Sequence, residues 1–272
     1  MNDAVNLART ALLDALDALS EHLDALVVVG AQAVYLHTGA AKVALAEYTT
    51  DGDLAIDPDL LGADPRVEEA MTAAGFIRDP RNDAVGTWLS TGGVPIDLMV
   101  PDAVAGAGRR SVAVPPHDST SMRRSRGLEA ALIDNSKLTI GAIEPHYDPR
   151  IFAVSVAGPT ALLVAKLHKI NDRIGHPSRL DNKDAHDIYR LLVAIPTEAL
   201  AATFGELLAT PVSAQVSREA TDLLRTLFAD GPQAPGSQMA GAAEEVVGDP
   251  IAVAERVSLL ASDLLGVLDA SA

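Results

Sequence analysis

The spacing of hydrophobic residues changes near residue 157, and this change limits the folds open to the chain. Before that point, short β-branched runs such as Leu26–Val29 alternate with Gly, Pro and Asp, which predicts strands and turns. From Pro159 onward, apolar residues recur at helical intervals. We therefore predict an α+β fold with two domains, a mixed sheet flanked by helices in residues 1–156 and a helical domain in residues 157–272.

Composition sets further limits. The chain has 272 residues and is 48% hydrophobic, which is enough to bury a sizeable core. Its net charge of -16 argues against a protein that coats nucleic acid through bulk electrostatics, and the lack of cysteine excludes disulfides and thiolate chemistry. Acidic residues interrupt the N-terminal apolar residues, and no apolar run is long enough for a membrane span. We therefore expect a soluble, cytoplasmic protein with no membrane partner.

Periodicity and turn residues predict the secondary-structure elements. The strands are predicted at 26–29, 53–56, 88–90, 94–100, 136–143 and 151–156. The helices are predicted at 4–24, 31–37, about 65–74, 159–172, 182–194, 197–208, 213–228, 239–247 and 250–268. The turn at 91–93 should join its flanking strands into an antiparallel pair, and 101–126 reads as loop or weakly ordered strand.

Three aspartates are candidate metal ligands. Asp51 and Asp53 are two residues apart at a predicted strand, so their side chains should share a face with Cα atoms roughly 6.5 to 7 Å apart. Asp97 lies among Ile, Leu, Met and Val, where a carboxylate is costly unless it is paired, hydrogen-bonded or bound to metal. Mg²⁺ prefers such oxygen ligands. Alternatively, Asp-Gly-Asp is typical of a solvated turn.

These residues belong to motifs that resemble a known superfamily. The segments Val27–Ala33, Thr50–Leu54 and Ile96–Leu98 look like the motifs of polymerase-β-type nucleotidyltransferases. In that superfamily a strand-turn-helix carries Gly-Gly or Gly-Ser, and an Asp-x-Asp pair with a later Asp binds metal. Ala31 stands where the motif has Gly or Ser, so it would offer phosphate a backbone N–H but no hydroxyl.

Two downstream segments narrow the resemblance. Residues 165–173 (AKLHKINDR) and 183–191 (KDAHDIYRL) resemble the Lys-rich and Lys-Asp-x-x-Asp-Leu-like helices of AbiEii-type nucleotidyltransferases. That group includes toxins of bacterial toxin-antitoxin and phage-defence systems, some of which modify tRNA. The resemblance covers roughly residues 26–192 and implies a nucleotidyltransferase-like sheet domain followed by helices.

The resemblance also implies a distribution of roles. Asp51 and Asp53 would hold a Mg²⁺ on the nucleotide side, while Asp97 would help to hold a second ion and accept the proton of the attacking hydroxyl. The backbone at Gly30 and Ala31 would bind phosphate at the start of a helix.

A basic helix face is predicted to contact the nucleotide. Lys166 and Lys169 are three residues apart, with Arg173 four residues further, and Lys166 fits the family lysine best. Asp184 and Asp187 are candidates to orient that lysine or to join the polar site. The alternatives are a solvated basic face and, for Asp184, an acid that complements the helix dipole.

Other polar residues give weaker signals. Arginines before the helical domain are candidates to bind triphosphate or RNA, or to pair with carboxylates; they are Arg109, Arg110, Arg123, Arg124 and Arg126. His168 and His186 lack zinc-hydrolase spacing and are predicted to be structural or exposed to solvent.

The expected function is a Mg²⁺-dependent transfer of NMP from an NTP to an RNA acceptor. The resemblance suggests tRNA as that acceptor, with protein as a second choice, and a toxin role with a cognate antitoxin as partner. A small-molecule nucleotidyltransferase of the antibiotic-modifying type is an alternative that the acidic composition favours. A non-catalytic nucleotide-binding module is another.

Overall fold

The computed structural model describes residues 3–39, 50–80, 85–176, 181–246 and 248–271. The chain forms two compact units. The sheet unit contains the described residues of 1–33 and 48–157, and the helical unit contains those of 34–47 and 158–272. The prediction of an α+β fold with a mixed sheet is confirmed.

The sheet unit is built on a mixed sheet that has eight strands within the described residues. These are β1 (Leu26–Val29), β2 (Gly52–Ile56), β3 (Ile77–Arg78), β4 (Thr87–Leu89), β5 (Pro95–Pro101), β6 (Arg123–Ser125), β7 (Asn135–Gly141) and β8 (Ile151–Ala157). The order is β3-β4-β5-β2-β1-β8-β7, and β6 also pairs with β5. Strand β2 runs parallel to β5 and antiparallel to β1. The antiparallel pairing of β4 with β5 is the one predicted around the turn at 91–93.

Helices of the sheet unit are α1 (Asp3–Ala18), the first part of α2 (Gly30–Thr38) and α3 (Val67–Ala73). All four residues of β1 are buried, as expected for a β-branched run with no polar alternation. Leu12 and Leu16 of α1 are fully buried, and α1 packs against β2 and β5. The amphipathic periodicity of α1 therefore places its apolar stripe on the centre of the sheet.

Several element boundaries differ from the sequence prediction. The helix predicted over 4–24 divides into α1 and a short 3₁₀-helix at Ser20–Ala25. Strand β3 was not predicted, because two residues are too few to show a periodicity, whereas β6 lies in the segment 101–126 predicted as loop or weakly ordered strand. The helix predicted over 239–247 instead begins at Pro235 and ends at Ala242; residue 247 itself lies outside the described residues. Proline is well suited to the first turn of a helix.

The helical unit contains α4 (Pro159–Ile174), α5 (Asn182–Ala194), α6 (Thr197–Ala209), α7 (Ala214–Leu224), α8 (Pro235–Ala242) and α9 (Pro250–Ser271). Its core includes Leu163, Phe204, Phe228 and Leu264, all fully buried. Among the described residues, no single helix is long and apolar enough to cross a membrane. Helices α5 and α6 meet that test of length and composition only as a pair, which is bent by 112°.

The later part of α2 belongs to the helical unit, although the sequence placed residues 1–156 together. Arg190 of α5 explains this division. Its guanidinium donates to the carbonyl and the hydroxyl of Thr38, each at 3.2 Å, and lies over the ring of Tyr35 at 5.1 Å. A cation at the end of a helix complements the helix dipole, so this contact stabilises the C-terminal turn of α2.

Candidate active site

Gly30 and Asp53 form the centre of the candidate site. Gly30 is the first residue of α2 and has a φ of 71°, in the left-handed region that favours glycine. A Cβ at this position would lie 2.8 Å from the carboxylate carbon of Asp53. The lack of a side chain at residue 30 therefore makes room for the Asp53 carboxylate at the beginning of α2.

Asp97 lies beside Asp53 in the sheet. The two residues are register partners on the parallel strands β2 and β5. Register partners project to the same face, and neighbouring strands are about 4.8 Å apart. The tertiary structure thus brings together two acids that are far apart in the sequence.

Two neighbours hold the Asp97 carboxylate. Thr87 lies opposite Asp97 on β4, and its hydroxyl donates to Oδ1 at 2.6 Å. Arg123 of β6 donates from Nη2 to Oδ2 at 2.7 Å, and the side chains of Arg123 and Asp97 are each 25% exposed. This carboxylate is therefore satisfied by hydrogen bonding and an ion pair, which is one of the ways its cost among apolar neighbours can be offset.

Asp51 precedes β2, and its backbone is held by Gln32 of α2. The Gln32 amide nitrogen donates to the Asp51 carbonyl at 2.9 Å and to the Ala8 carbonyl at 3.1 Å. The Gln32 oxygen accepts from Arg9 Nε at 2.9 Å. Gln32 is buried, so it connects α1, α2 and the segment that enters β2 through satisfied hydrogen bonds.

Asp53 and Asp97 supply some of the oxygen ligands that a Mg²⁺ ion needs. Within the residues that the structure describes, no group of three or more His, Asp or Glu side chains is arranged to hold a metal ion. Asp53 and Asp97 nevertheless form an adjacent pair of oxygen donors. Because Mg²⁺ commonly takes only one or two carboxylates together with phosphates and water, this pair fits such an ion.

The start of α2 offers donors for an anion. Helix α2 begins at Gly30 and Ala31, and the first N–H groups of a helix have no partner within it. Such groups, with the helix dipole, favour phosphate. Gly30 and Ala31 therefore remain suitable for the phosphate contact that the sequence suggested.

The predicted arginine cluster divides into paired and exposed members. Arg124 and Arg126 pair with Asp102 at 2.6 and 3.3 Å, and Arg123 pairs with Asp97. Arg109 and Arg110 are exposed. Pairing with carboxylates, the alternative considered from the sequence, is thus observed for three of the five.

The remaining predicted site residues lie in the helical unit, where they form an ion network between α4 and α5. Lys166 Nζ is 2.7 Å from Asp184 and 2.6 Å from Asp187. Asp184 is also 3.1 Å from Lys169 Nζ and 3.3 Å from Arg173 Nη1. The predicted association of this lysine with both aspartates is therefore present, and Asp184 also lies in the first turn of α5.

Burial and neighbouring charges shift the pKa values of Lys166 and Asp184 in opposite directions. Burial by itself lowers the pKa of Lys166, but Asp184 and Asp187 outweigh burial and hold that pKa well above its ordinary value. Burial by itself raises the pKa of Asp184, but Lys166 and Lys169 hold it below its ordinary value. Lys166 and Asp184 are therefore both charged at neutral pH.

The exposure of the three cations differs. The Lys166 side chain is only 5% exposed, whereas the side chains of Lys169 and Arg173 are 37% and 27% exposed. The network contains three cations and two carboxylates. The accessible positive charge therefore belongs to Lys169 and Arg173 rather than to Lys166.

Both predicted structural histidines are buried and hydrogen-bonded. His168 Nε2 is 2.9 Å from the Val216 carbonyl, and His186 Nε2 is 2.9 Å from Glu244 Oε1. These contacts join α4 to α7, and α5 to the residues after α8. Within the described residues, the histidines thus have a structural explanation that needs no metal.

Sequence reasoning missed the roles of Thr87 and Gln32 and did not assign Arg123 to Asp97. Thr87 and Arg123 contact Asp97 only because β4 and β6 pair along β5. Gln32 lies within the glycine-turn motif, and a polar residue there among apolar neighbours was the one signal that the sequence offered. An apolar groove of about 740 Å³ between α3 and β3–β4, lined by Phe76, Arg78 and Trp88, contains none of the predicted site residues.

Comparison of the chain with protein-family models, curated proteins and solved structures gives no match.

Proposed function

We propose that this protein is a Mg²⁺-dependent nucleotidyltransferase of the AbiEii-like type, with a nucleotidyltransferase-like sheet domain. The observation that carries the proposal is the placement of Asp53 and Asp97 in register on neighbouring strands, with Asp53 against Gly30 at the start of α2. A carboxylate pair beside the first amides of α2 supplies both a cation site and an anion site. These are the requirements for binding an NTP with its metal.

The proposed reaction moves NMP to an acceptor hydroxyl. The acceptor oxygen forms a bond to the α-phosphorus, the bond from that phosphorus to the oxygen bridging to the β-phosphate breaks, and pyrophosphate leaves. The hydroxyl proton passes to a carboxylate, for which Asp97 is our candidate. Mg²⁺ would neutralise phosphate charge and help align the reacting oxygens.

Residues of the sheet unit would share the binding work. Asp53, Asp97 and, by the resemblance, Asp51 would hold Mg²⁺, while the amides of Gly30 and Ala31 bind phosphate. Gln32 would keep the Asp51 backbone in position through its hydrogen bonds. Thr87 would orient Asp97 by the hydrogen bond to Oδ1.

Within the helical unit, the charged residues of α4 and α5 are candidates to bind phosphate, as the resemblance implies. The resemblance assigns the phosphate contact to Lys166, supported by Asp184 and Asp187. The exposed fractions favour Lys169 and Arg173 as the groups that phosphate reaches directly, with Lys166 as the buried residue that positions the network. In this proposal Lys166 is still required, but it positions the ion network instead of contacting phosphate itself.

The acceptor and the biological role rest on the resemblance alone. We propose an RNA acceptor, with tRNA as the first candidate, a cognate antitoxin as partner, and the cytoplasm as location. One observation favours a small-molecule acceptor instead, namely the net charge of -16, which opposes RNA except at a local basic surface. A non-catalytic nucleotide-binding module would agree with the pairing of Asp97 to Arg123.

The decisive experiment follows label from each α-³²P-labelled NTP, with Mg²⁺, into total tRNA, total protein and small-molecule acceptors. The Asp53→Asn variant tests the site, and Asp59→Asn is the matched control, because Asp59 is an exposed acid after the same strand. We expect transfer with wild type and Asp59→Asn and a loss of about a thousandfold with Asp53→Asn, the loss of several kcal/mol of transition-state stabilisation.

Each outcome bears on the proposal. Transfer that depends on Asp53 supports it and identifies nucleotide and acceptor together. Equal transfer by wild type and Asp53→Asn would place the activity elsewhere. Binding of metal and nucleotide without transfer to any acceptor would favour the non-catalytic module.

A further inference from the structure

We propose that Arg123 is an exchangeable partner of Asp97. In the nucleotide-free protein it neutralises this carboxylate, and when a divalent cation takes its place there, Arg123 passes to the triphosphate. The inference rests on the proposed function, because it concerns the same carboxylate pair. It adds a residue that links metal binding to nucleotide binding.

The sheet register brings both Arg123 and Thr87 to the Asp97 carboxylate, because β4 and β6 pair with successive parts of β5. Thr87 on β4 is directly opposite Asp97, and Arg123 on β6 pairs with Met99, two residues further along β5. Residues two apart on a strand share a face, so Arg123 is a diagonal neighbour of Asp97. Each neighbour therefore takes a different oxygen, Thr87 Oδ1 and Arg123 Oδ2.

Charge explains why Asp97 has an arginine partner. Asp53 and Asp97 are neighbouring acids on one face of the sheet, and like charges at this separation repel each other. A cation on this face relieves the repulsion, and Arg123 supplies it through the ion pair at 2.7 Å. A divalent cation at the same carboxylates would make that arginine unnecessary.

The contacts of Arg123 are few enough for exchange. Within the described part of the chain, its guanidinium is held by Asp97 alone, through Nη2. The guanidinium of the adjacent Arg124 instead donates to Asp102 and to the carbonyls of Ala105 and Gly106, which anchor it. The Arg123 guanidinium therefore has one partner among the described residues, and its other N–H groups can donate to phosphate oxygens.

Exchange also leaves each charged group beside a group of opposite charge. A divalent cation at Asp97 replaces the single charge of Arg123, and the displaced guanidinium meets the negative triphosphate rather than solvent. Thr87 keeps its hydrogen bond to Oδ1 throughout, so the carboxylate keeps its orientation. No covalent bond changes in this step.

The test measures two affinities of the full-length protein after metal has been removed by chelation and dialysis. Mn²⁺ alone is titrated with electron paramagnetic resonance as the readout, and inorganic tripolyphosphate with Mg²⁺ represents the charge shared by all NTPs. For Arg123→Gln we expect Mn²⁺ to bind about fivefold more tightly, since a partly exposed ion pair no longer competes for Asp97. We expect tripolyphosphate to bind at least about fivefold more weakly, since a charge-assisted contact is lost.

Two variants complete the design. Arg225→Gln is the matched control, because it removes an arginine from a surface pair with Asp269 and changes the net charge equally. It should leave both affinities unchanged. Arg123→Lys retains the charge without the planar fork, and it should give intermediate shifts in both affinities if Arg123→Gln fails to fold.

In Arg123→Gln, tighter Mn²⁺ binding together with weaker tripolyphosphate binding distinguishes exchange from a purely structural role of Arg123. An unchanged or weaker Mn²⁺ affinity in folded Arg123→Gln, or equal shifts in Arg225→Gln, would overturn the inference. Opposite shifts without any labelled product in the transfer experiment would support exchange while rejecting the transferase. Labelled product without a change in Mn²⁺ affinity would support the transferase and reject exchange.

Discussion

The carboxylate of Asp53 occupies the space that a side chain on Gly30 would require. Because Gly30 also has a positive φ, two independent constraints apply to one residue. The turn from β1 into α2 is thus coupled to the position of a candidate metal ligand. A substitution at residue 30 should affect both folding and the site.

Replacing Gly30 with alanine should separate these two constraints. Any alanine at a positive φ costs about 1 kcal/mol, and at residue 30 the Cβ must also displace Asp53. Gly93→Ala is the matched control, since its φ is 74° but no atom lies within 4 Å of the added Cβ. Urea unfolding should show a larger loss of stability for Gly30→Ala. Equal losses would mean that the Asp53 contact is unimportant.

Gln32→Met should destabilise the protein by about 2 to 3 kcal/mol, because carbonyl and guanidinium partners in the interior lose their hydrogen bonds. Those partners are Ala8, Asp51 and Arg9. The control is Gln215→Met, which removes an exposed hydrogen bond to Glu219 and should have little effect. Chemical unfolding measures both variants, and similar midpoints would show that the Gln32 contacts contribute little.

Lys166→Met should destabilise the protein by about 3 to 5 kcal/mol, since Asp184 and Asp187 would remain buried without their closest cation. Lys169→Met should cost less than about 1 kcal/mol, because that side chain is 37% exposed. Urea unfolding at pH 7 provides the comparison. A small loss for Lys166→Met would show that Lys169 and Arg173 suffice to neutralise the aspartates.

The ion network should also give the stability of wild type a defined pH dependence. The pKa of Asp184 is lowered in the folded protein, so its contribution is present above its unfolded pKa of about 3.9 and is lost as pH falls below that value. The pKa of Lys166 is raised, so its contribution is complete below about 10.4 and declines above it. When the free energy of unfolding is measured between pH 2.5 and 5, the difference between wild type and Lys166→Met should be smaller at the acid end. A constant difference would contradict the prediction.

His117 should make α3 sensitive to mild acid. Its Nδ1 accepts from the Val67 amide at the start of α3, and burial lowers its pKa while the Gly62 backbone opposes that shift. Because the folded pKa is lowered, stability should fall as pH decreases below about 6.5. His22 contributes to the lowering, whereas Glu68 and Asp64 oppose it.

The pH dependence can be assigned with His117→Asn. This variant should lose part of the decline in unfolding free energy between pH 7.5 and 5, whereas His146→Gln should retain it, because His146 is exposed. Hydrogen exchange of the α3 amides gives a local readout. A decline that is unchanged in His117→Asn would assign the acid sensitivity to another group.

Local patterns in the sequence predicted the elements that depend on local interactions. The β-branched run at Leu26–Val29 has few alternatives to a buried strand, and the change of period near residue 157 marks the start of the helical unit. Spacing also placed Lys166, Lys169 and Arg173 on one helix face, and the structure brings all three to Asp184. These relationships follow from backbone geometry over a few residues.

Relationships that depend on strand pairing required the tertiary structure. Asp53 and Asp97 were recognised as candidate ligands from the sequence, but only the register of β2 with β5 makes them neighbours. The register of β5 with β4 and β6 likewise selects Thr87 and Arg123 as the partners of Asp97. A shift of one residue would turn these side chains to the other face of the sheet. The sequence by itself determined the chemistry available to this protein, whereas long-range pairing decided which groups meet, because register is set by packing of the whole sheet rather than by local residues.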